Sequence, residues 1–280
     1  MQVYNTLITK LAQAGISSPR MEAKLLLAFL LKKEENSIDI LNAQLNQEQQ
    51  NELACLLHRR INNREPLDKI LGHKGFYKYD FFVNSDVLSP RPETEILLEK
   101  ALSLAVKEDL SILDLGTGSG CILLSLLKER PLATGVGVDV SAKALDVARK
   151  NAENLAVSSQ VKWLNKSWFD EDFLSFFSRP FDIIVSNPPY IADAEIKTLD
   201  KEVREYDPLP ALSGGRDGLE SYRRIAEVTP FLLSKEGYIL LECGLGQADQ
   251  VNEIFIAQGL EPFGILKDLQ GIERCIILKK

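Results

Sequence analysis

The chain has 280 residues, 45% hydrophobic and 26% charged, the balance of a globular protein long enough for one large domain and a small one. A formal net charge of −7 argues against a protein whose affinity comes from neutralising phosphates, and so lowers the expectation of a nucleic-acid substrate. Four widely spaced cysteines (Cys55, Cys121, Cys243, Cys275) and two histidines (His58, His73) are too sparse for a zinc site, a disulfide framework or a histidine base, so no metal is expected and the thiols are expected to be buried or half-buried in a reducing cytoplasm.

At the amino end, Met1-Gln2-Val3-Tyr4-Asn5 has no basic segment followed by an apolar stretch, so no signal peptide is expected. The longest apolar run nearby, Leu25 to Leu31, is far too short to span a bilayer, and no membrane partner is expected. Apolar positions then recur at helical spacing over the first ~65 residues. Val3, Leu7, Leu11 and Ala14 form one stripe, ended by Gly15. Ser18 and Pro19 have the character of an N-cap and first helical position for a helix over Arg20 to Lys32. Asn46 with Gln49 predicts a capping box for a segment running to about Asn63, closed by Pro66. This portion is expected to be a small helical bundle serving as scaffold or for partner recognition.

From Gly72 the texture changes. Phe76, Tyr77, Tyr79, Phe81, Phe82 and Val83 favour a short β-hairpin, followed by a stiff loop, Leu88 to Glu95, that enters a helix from about Glu93. The expected organisation is a helical domain over 1–72, a hairpin linker over 73–90 and an α/β domain over 91–280. In the last, strands expected at Ile112–Leu115, Gly135–Val140, Val161–Leu164, Asp182–Ser186, Tyr238–Glu242, Pro262–Leu266 and Arg274–Leu278 alternate with helices near 121–130, 142–155, 218–235 and 247–259. That alternation predicts a mostly parallel, seven-stranded sheet with helices on its faces.

Three clusters carry chemistry. Asp114-Leu115-Gly116-Thr117-Gly118-Ser119-Gly120 is a strand end, a glycine-rich turn and a helix start, and Asp139 ends the next strand, where a carboxylate can accept ribose hydroxyls. The spacing is neither that of the dinucleotide fingerprint nor that of a lysine-bearing phosphate loop. Asp114 beside the turn favours a cationic ligand, so a cofactor with a ribose, an adenine, an ammonium and a sulfonium fits best: S-adenosylmethionine. The alternative for Asp139 is a helix N-cap before Ser141. Trp168, after the third strand, is placed either to cover an adenine or to anchor the core, whereas Trp163 is expected in the core.

The third cluster is Asn187-Pro188-Pro189-Tyr190, directly after the apolar strand Phe181 to Ser186. Two prolines hold the backbone extended and remove two N–H donors, leaving the Asn187 side-chain oxygen and the Pro188 carbonyl as acceptors beside the flat ring of Tyr190. That set suits a planar –NH2 group, a carboxamide or the exocyclic amine of a base. The plain alternative is a structural turn.

The order and spacing of these parts resemble the HemK/PrmC family, the release-factor glutamine methyltransferases, along nearly the whole chain. Family-like segments include Pro90-Arg91-Pro92-Glu93-Thr94-Glu95, Glu205-Tyr206-Asp207-Pro208 and Gly215-Arg216-Asp217-Gly218-Leu219, together with the three clusters above. Ser89, Lys69 and Cys243 depart from the family's usual residues. The resemblance implies a Rossmann-like class I methyltransferase domain behind a helical recognition domain. It implies that Gly116, Thr117, Gly118, Ser119, Gly120, Asp139, Trp168 and Asn187 bind S-adenosylmethionine, giving S-adenosylhomocysteine as product. Asn187, Pro188, Pro189 and Tyr190 would bind, and Asn187 and Pro188 activate, the glutamine of the Gly-Gly-Gln motif in peptide chain release factors, in the cytoplasm.

A glutamine amide is a poor nucleophile, so acceptors on both N–H groups are needed to orient its lone pair and to stabilise positive charge as it builds on nitrogen. The methylated nitrogen loses its proton without a strong base, consistent with a site lacking histidine. Arg91 and Glu95 are expected to form an ion pair fixing the linker helix. The competing functions are methylation of the adenine amine in DNA or RNA, and a degenerate methyltransferase kept as an adaptor. An acidic chain whose helical first domain has no evident basic run opposes the first, and the intact glycine turn, Asp139 and Asn187 loop oppose the second.

Overall fold

The two textures of the sequence fold as two units, one ending at Gly72 and the other beginning at His73; the computed structural model describes residues 2–34 and 37–280. In the first unit, α1 (Gln2–Gln13) buries Leu7 and Leu11, and Gly15 at φ +73° turns the chain back so that the Ile16 amide reaches the Leu11 carbonyl. The second helix, α2 (Pro19–Leu31), starts on Pro19 as expected, but the Ser18 side chain makes no capping bond. The pre-set φ of proline starts this helix on its own. The capping box at α3 (Gln47–Leu57) forms in both directions, at 2.9 and 3.1 Å. This helix runs on into one π-turn, His58–Asn62, where the buried Arg60 grips Glu22 of α2 through two bonds of 2.7 and 2.9 Å. The segment ends at Asn62, close to the expected Asn63, and Pro66 then precedes a further short helix that was not expected, α4 (Leu67–Leu71), which Gly72 ends at φ +76°. Five residues are too few to show a helical period, which is why this helix is silent in the sequence.

The second unit opens with the hairpin β1 (His73–Phe76) and β2 (Tyr79–Phe82), whose turn places Tyr77 at φ +56°. Phe76 and Phe81 are buried in the core of this unit. The Asn151 side chain brackets Phe82, accepting from its amide at 2.7 Å and donating to its carbonyl at 3.0 Å. The hairpin is therefore built into the body of the second unit. The Arg91–Glu95 ion pair does not form. Glu95, in α5 (Thr94–Leu104), accepts the Tyr77 amide at 2.9 Å, and Arg91 pairs with Asp207 at 3.0 Å. A backbone donor left open by the tight turn and a carboxylate from a distant loop both outcompete the local pair.

The sheet contains β3 (Ser111–Leu115), β4 (Thr134–Asp139), β5 (Val161–Asn165), β6 (Phe181–Ser186), β7 (Leu233–Glu242), β8 (Glu261–Lys267) and β9 (Glu273–Lys279). Their order is β5-β4-β3-β6-β7-β9-β8, parallel throughout except β9, which runs antiparallel to both its neighbours. Along β3 the strand period divides the core: Ile112 packs with Leu97, Leu123 and Leu127 on one face, and Leu113 and Leu115 pack with Tyr222, Ile225 and Phe255 on the other. The first face is covered by α5 and α6 (Cys121–Glu129); α7 (Ala142–Asn154) packs beside β4 and β5. The second is covered by α10 (Glu220–Leu232) and α11 (Ala248–Ile256). Two short helices, α8 (Asp193–Ile196) and α9 (Lys201–Tyr206), lie in the long connection after β6 and were not expected. Strand β7 begins at Leu233 rather than Tyr238, because the helix holding Pro230 stops at Leu232. No helix among the described residues is long and apolar enough to cross a membrane. Three of the cysteines are buried, but Cys55 is exposed on α3, and all four are free.

Candidate active site

The strand order reverses between β3 and β6, with β4 on one side and β6 on the other, so the crevice of the sheet opens at their carboxyl ends. The glycine turn stands at one lip and the Asn187 loop at the other, and the Ser186 hydroxyl donates to the Leu115 carbonyl at 2.6 Å, tying the two lips together.

The turn follows β3 with Gly116 and Gly118 at φ +77° and +54°, conformations that suit glycine. A Cβ on Gly116 would stand 3.4 Å from the Trp168 ring, whereas one on Gly118 would meet open space, so the backbone at Gly118 borders the crevice. The Gly118 amide donates to one oxygen of Asp139 and the Ser141 amide to the other, both at 2.9 Å. Asp139 thus holds the turn in shape, a role its position in the sequence does not reveal. Ser141, not Asp139, caps α7, accepting the Ala144 amide at 3.2 Å. Burial raises the Asp139 pKa and the two backbone donors oppose that rise. Each carboxylate oxygen keeps an open lone-pair site for a ligand hydroxyl.

Behind the turn, Asp114 is buried; one oxygen accepts the Thr117 hydroxyl at 2.7 Å and the other has no partner. Burial pushes its pKa up to about 7. A cation beyond the turn would relieve this group, since a buried, half-satisfied carboxylate is costly. Trp168 belongs to the core, as one of its two expected roles has it, and it also lines the crevice, while Arg224 donates to its carbonyl at 2.8 Å. Its indole N–H has no partner. Trp163 packs against the core.

Asn187 lies between two cavities. The first is lined by Gly116 to Ser119, Asp139 and Trp168, and is roofed by the loop 86–91 and by Pro208, Pro210 and Ala211. The second, which Asn187 also lines, is bordered by Tyr190, Ile191, Leu199, Val203, Glu242 and Arg274, among others. The Arg91–Asp207 pair joins the two loops over the first cavity, and Arg91 also lines the second. Pro189 borders the first cavity and Tyr190 the second; Pro188 is buried and is not among the lining residues of either. Burial pushes the Tyr190 phenol up to about 12.

Two supports of this loop escaped sequence reasoning. The first is the Gly214–Gly218 turn. A parallel bridge pairs Ile191 with Ser213, and a Cβ on Gly214 would come within 2.8 Å of the Pro189 carbonyl oxygen. One on Gly218, at φ +77°, would come within 2.4 Å of the Tyr190 carbonyl oxygen. The glycines are required because two backbones meet there. The second support is polar. Asn187 Nδ2 donates to Thr94 Oγ1 at 3.4 Å, and Thr94 Oγ1 donates to Glu242 Oε2 at 2.5 Å. Glu242 is buried, and burial raises its pKa to about 7 against the opposing pull of Thr94 and Arg274. The available signal was a lone carboxylate closing the apolar strand Ile239-Leu240-Leu241.

A seven-stranded sheet with one antiparallel strand, a glycine turn after β3 and an acidic residue ending β4 defines this as a class I, S-adenosylmethionine-dependent methyltransferase fold. The family described as the PrmC N-terminal domain matches residues 2–72, and the methyltransferase small domain matches residues 92–203. The release factor glutamine methyltransferase of Rhodospirillum rubrum is 40% identical over 97% of this chain and 82% of its own length. That of Caulobacter vibrioides is 41% identical over 96% and 92%. Among solved structures, the catalytic domain of hMettl16, crystallised with an RNA hairpin, covers 90% of this chain and 92% of its own at a TM-score of 0.58 and 15% identity, a likeness of fold. The chain belongs to the release factor glutamine methyltransferase family.

Proposed function

We propose that this enzyme methylates the side-chain amide nitrogen of the glutamine in the Gly-Gly-Gln motif of peptide chain release factors, in support of translation termination. The observation that carries the assignment of parts is the position of Asn187, exposed to both cavities at once. The first cavity takes the cofactor and the second the glutamine side chain.

The cofactor cavity fits S-adenosylmethionine. Asp114, behind the turn rather than in the cavity lining, contributes the field of a buried carboxylate that favours a cationic group, Asp139 retains acceptor sites for hydroxyls, and Trp168 offers a flat face to an adenine. Gly116, Thr117, Gly118, Ser119 and Gly120 let the backbone approach closely. When bound, the cofactor supplies an electrophilic methyl group. The protein's part is placement and electrostatics. In the second cavity, Ile191, Leu199 and Val203 pack against the methylene stem of the glutamine, and Tyr190 flanks its amide. The Asn187 side-chain oxygen and the Pro188 carbonyl accept the two amide N–H groups, which turns the nitrogen lone pair toward the cofactor cavity. As positive charge grows on that nitrogen, the same two oxygens stabilise it more than they stabilise the ground state. The extra proton then leaves to water.

The helical unit, residues 1–72, engages the release factor, and the setting is the cytoplasm, in keeping with four free thiols. A nucleic-acid substrate is disfavoured by the charge of −7. Incubation with radiolabelled S-adenosylmethionine and either a release factor or DNA tests the proposal. Label on the release-factor glutamine is expected, and label on DNA alone, or on neither, would refute it.

A further inference from the structure

We infer that Thr94 and Glu242 are positioning residues that set which end of the Asn187 amide faces the substrate, through a directed chain of hydrogen bonds from amide to hydroxyl to carboxylate. This rests on the proposed role of Asn187 as an acceptor. The two ends of a carboxamide are almost equal in size, so packing alone does not distinguish them; the hydrogen-bond network does. Only the oxygen end can accept an N–H from the glutamine. A flipped Asn187 would present its own –NH2 to the substrate –NH2, donor against donor.

With Glu242 ionised, proton counting fixes the direction. The Thr94 hydroxyl has one hydrogen, and its 2.5 Å approach to Glu242 Oε2 falls in the range of an O–H donating to a carboxylate. With its hydrogen committed there, Oγ1 offers only lone pairs to Asn187, 3.4 Å away, and the group facing it must be Nδ2. A flip would set Oδ1 against those lone pairs and beside the Glu242 carboxylate, losing one bond and adding repulsion. The amide oxygen is thereby turned away from Thr94, toward the glutamine.

The fold brings these groups together from three directions. Ser186 pairs with Leu241 in the sheet, so Asn187 and Glu242 are the next residues on adjacent strands, and Thr94 begins α5. Thr94 is 2% and Glu242 3% exposed, so the chain of bonds is screened from water, which would otherwise supply donors and acceptors of either polarity.

The test is a mutant cycle on the full chain with a release factor as substrate. Turnover, KM for the release factor and calorimetric Kd for S-adenosylmethionine are measured for Thr94→Val, Thr94→Ser and Glu242→Gln, each with and without Asn187→Ala. Thr94→Val is expected to lower kcat about tenfold, with KM and cofactor Kd within about twofold, and Thr94→Ser to restore most of the loss. Glu242→Gln, whose amide can donate to Thr94 and release its hydrogen, is expected to lower kcat in the same direction. In the Asn187→Ala background neither substitution should cost anything further, because their effect passes through that amide. Wild-type turnover in both Thr94→Val and Glu242→Gln, or losses that multiply with that of Asn187→Ala, would overturn the inference while leaving the role of Asn187 intact. Wild-type turnover in Asn187→Ala alone would instead remove the role on which the inference rests.

Discussion

At the scale of single residues, the site concentrates buried polar groups whose placement costs stability. Asn187→Ala removes the acceptor proposed to meet the substrate amide, and turnover is expected to fall at least ~100-fold, the effect of deleting one preorganised polar contact. Single-turnover methylation of a release factor measures it. Glu242 gives a prediction in pH. Its pKa of about 7 in the folded chain lies above the ordinary 4.5, so the folded state binds its proton more tightly than the unfolded state does. Stability attributable to this group is therefore full below about 4.5 and is lost as pH rises through about 7, a loss on the order of 3 kcal/mol. Arg274, Glu93, Tyr190, Tyr222, Cys243 and Cys275 surround it, and burial holds the tyrosines and thiols neutral well above this window. Asp114 titrates with the same sign but is common to variant and parent. The Tm of Glu242→Gln minus that of the parent should rise between pH 5 and pH 8. A thermal-melt difference that is flat or falls across that range would contradict the assignment. The same variant is expected to be less active, so this carboxylate exchanges stability for function.

At the scale of elements, the decisive feature is the contact between the Asn187 loop and the Gly214–Gly218 turn. Gly218→Ala would force a Cβ into the Tyr190 carbonyl at a positive φ, a strain of about 1–3 kcal/mol. A Tm lowered by several degrees is expected, with kcat falling further than cofactor affinity, read from thermal melts and calorimetry on one preparation. The strands were legible because each carries a short apolar run bounded by turn residues, and all seven form close to their expected places. The short helices α8 and α9 were not, because neither is long enough to show a period. The Gly-Gly-Arg-Asp-Gly run was visible, yet its purpose was not: nothing in a linear string says that its backbone will meet the carbonyls of residues 189 and 190. Likewise the Arg91–Glu95 pairing is the natural local expectation, and Asp207 displaced it from more than a hundred positions away.

At the scale of the whole molecule, each of the two units has its own buried core. Leu7, Leu11, Leu26, Leu27 and Ile40 serve the first, and the two faces of the sheet serve the second. If the first unit engages the release factor, a fragment of residues 73–280 should bind S-adenosylmethionine with unchanged Kd while losing at least ~10-fold in kcat/KM on a release factor, as expected when one of two docking contacts is removed. Equal kcat/KM for fragment and full chain would refute that role. Cofactor binding by the fragment shows independently that it has folded.

The sequence by itself determined the two-part organisation, the seven strands, the glycine turn with Asp139 near it, and the extended, donor-poor course of the Asn187–Tyr190 loop. Each of these is written in local periodicity or in the stereochemistry of Gly and Pro, which act over a few residues. Only the tertiary structure decided that Asn187 borders two cavities, that Asp139 clamps the turn it follows, and that Thr94 and Glu242 stand behind the Asn187 amide. Those facts depend on strand order and register, which bring residues 94, 187 and 242 within hydrogen-bonding distance, and long-range pairing of that kind leaves no mark on any one stretch of chain.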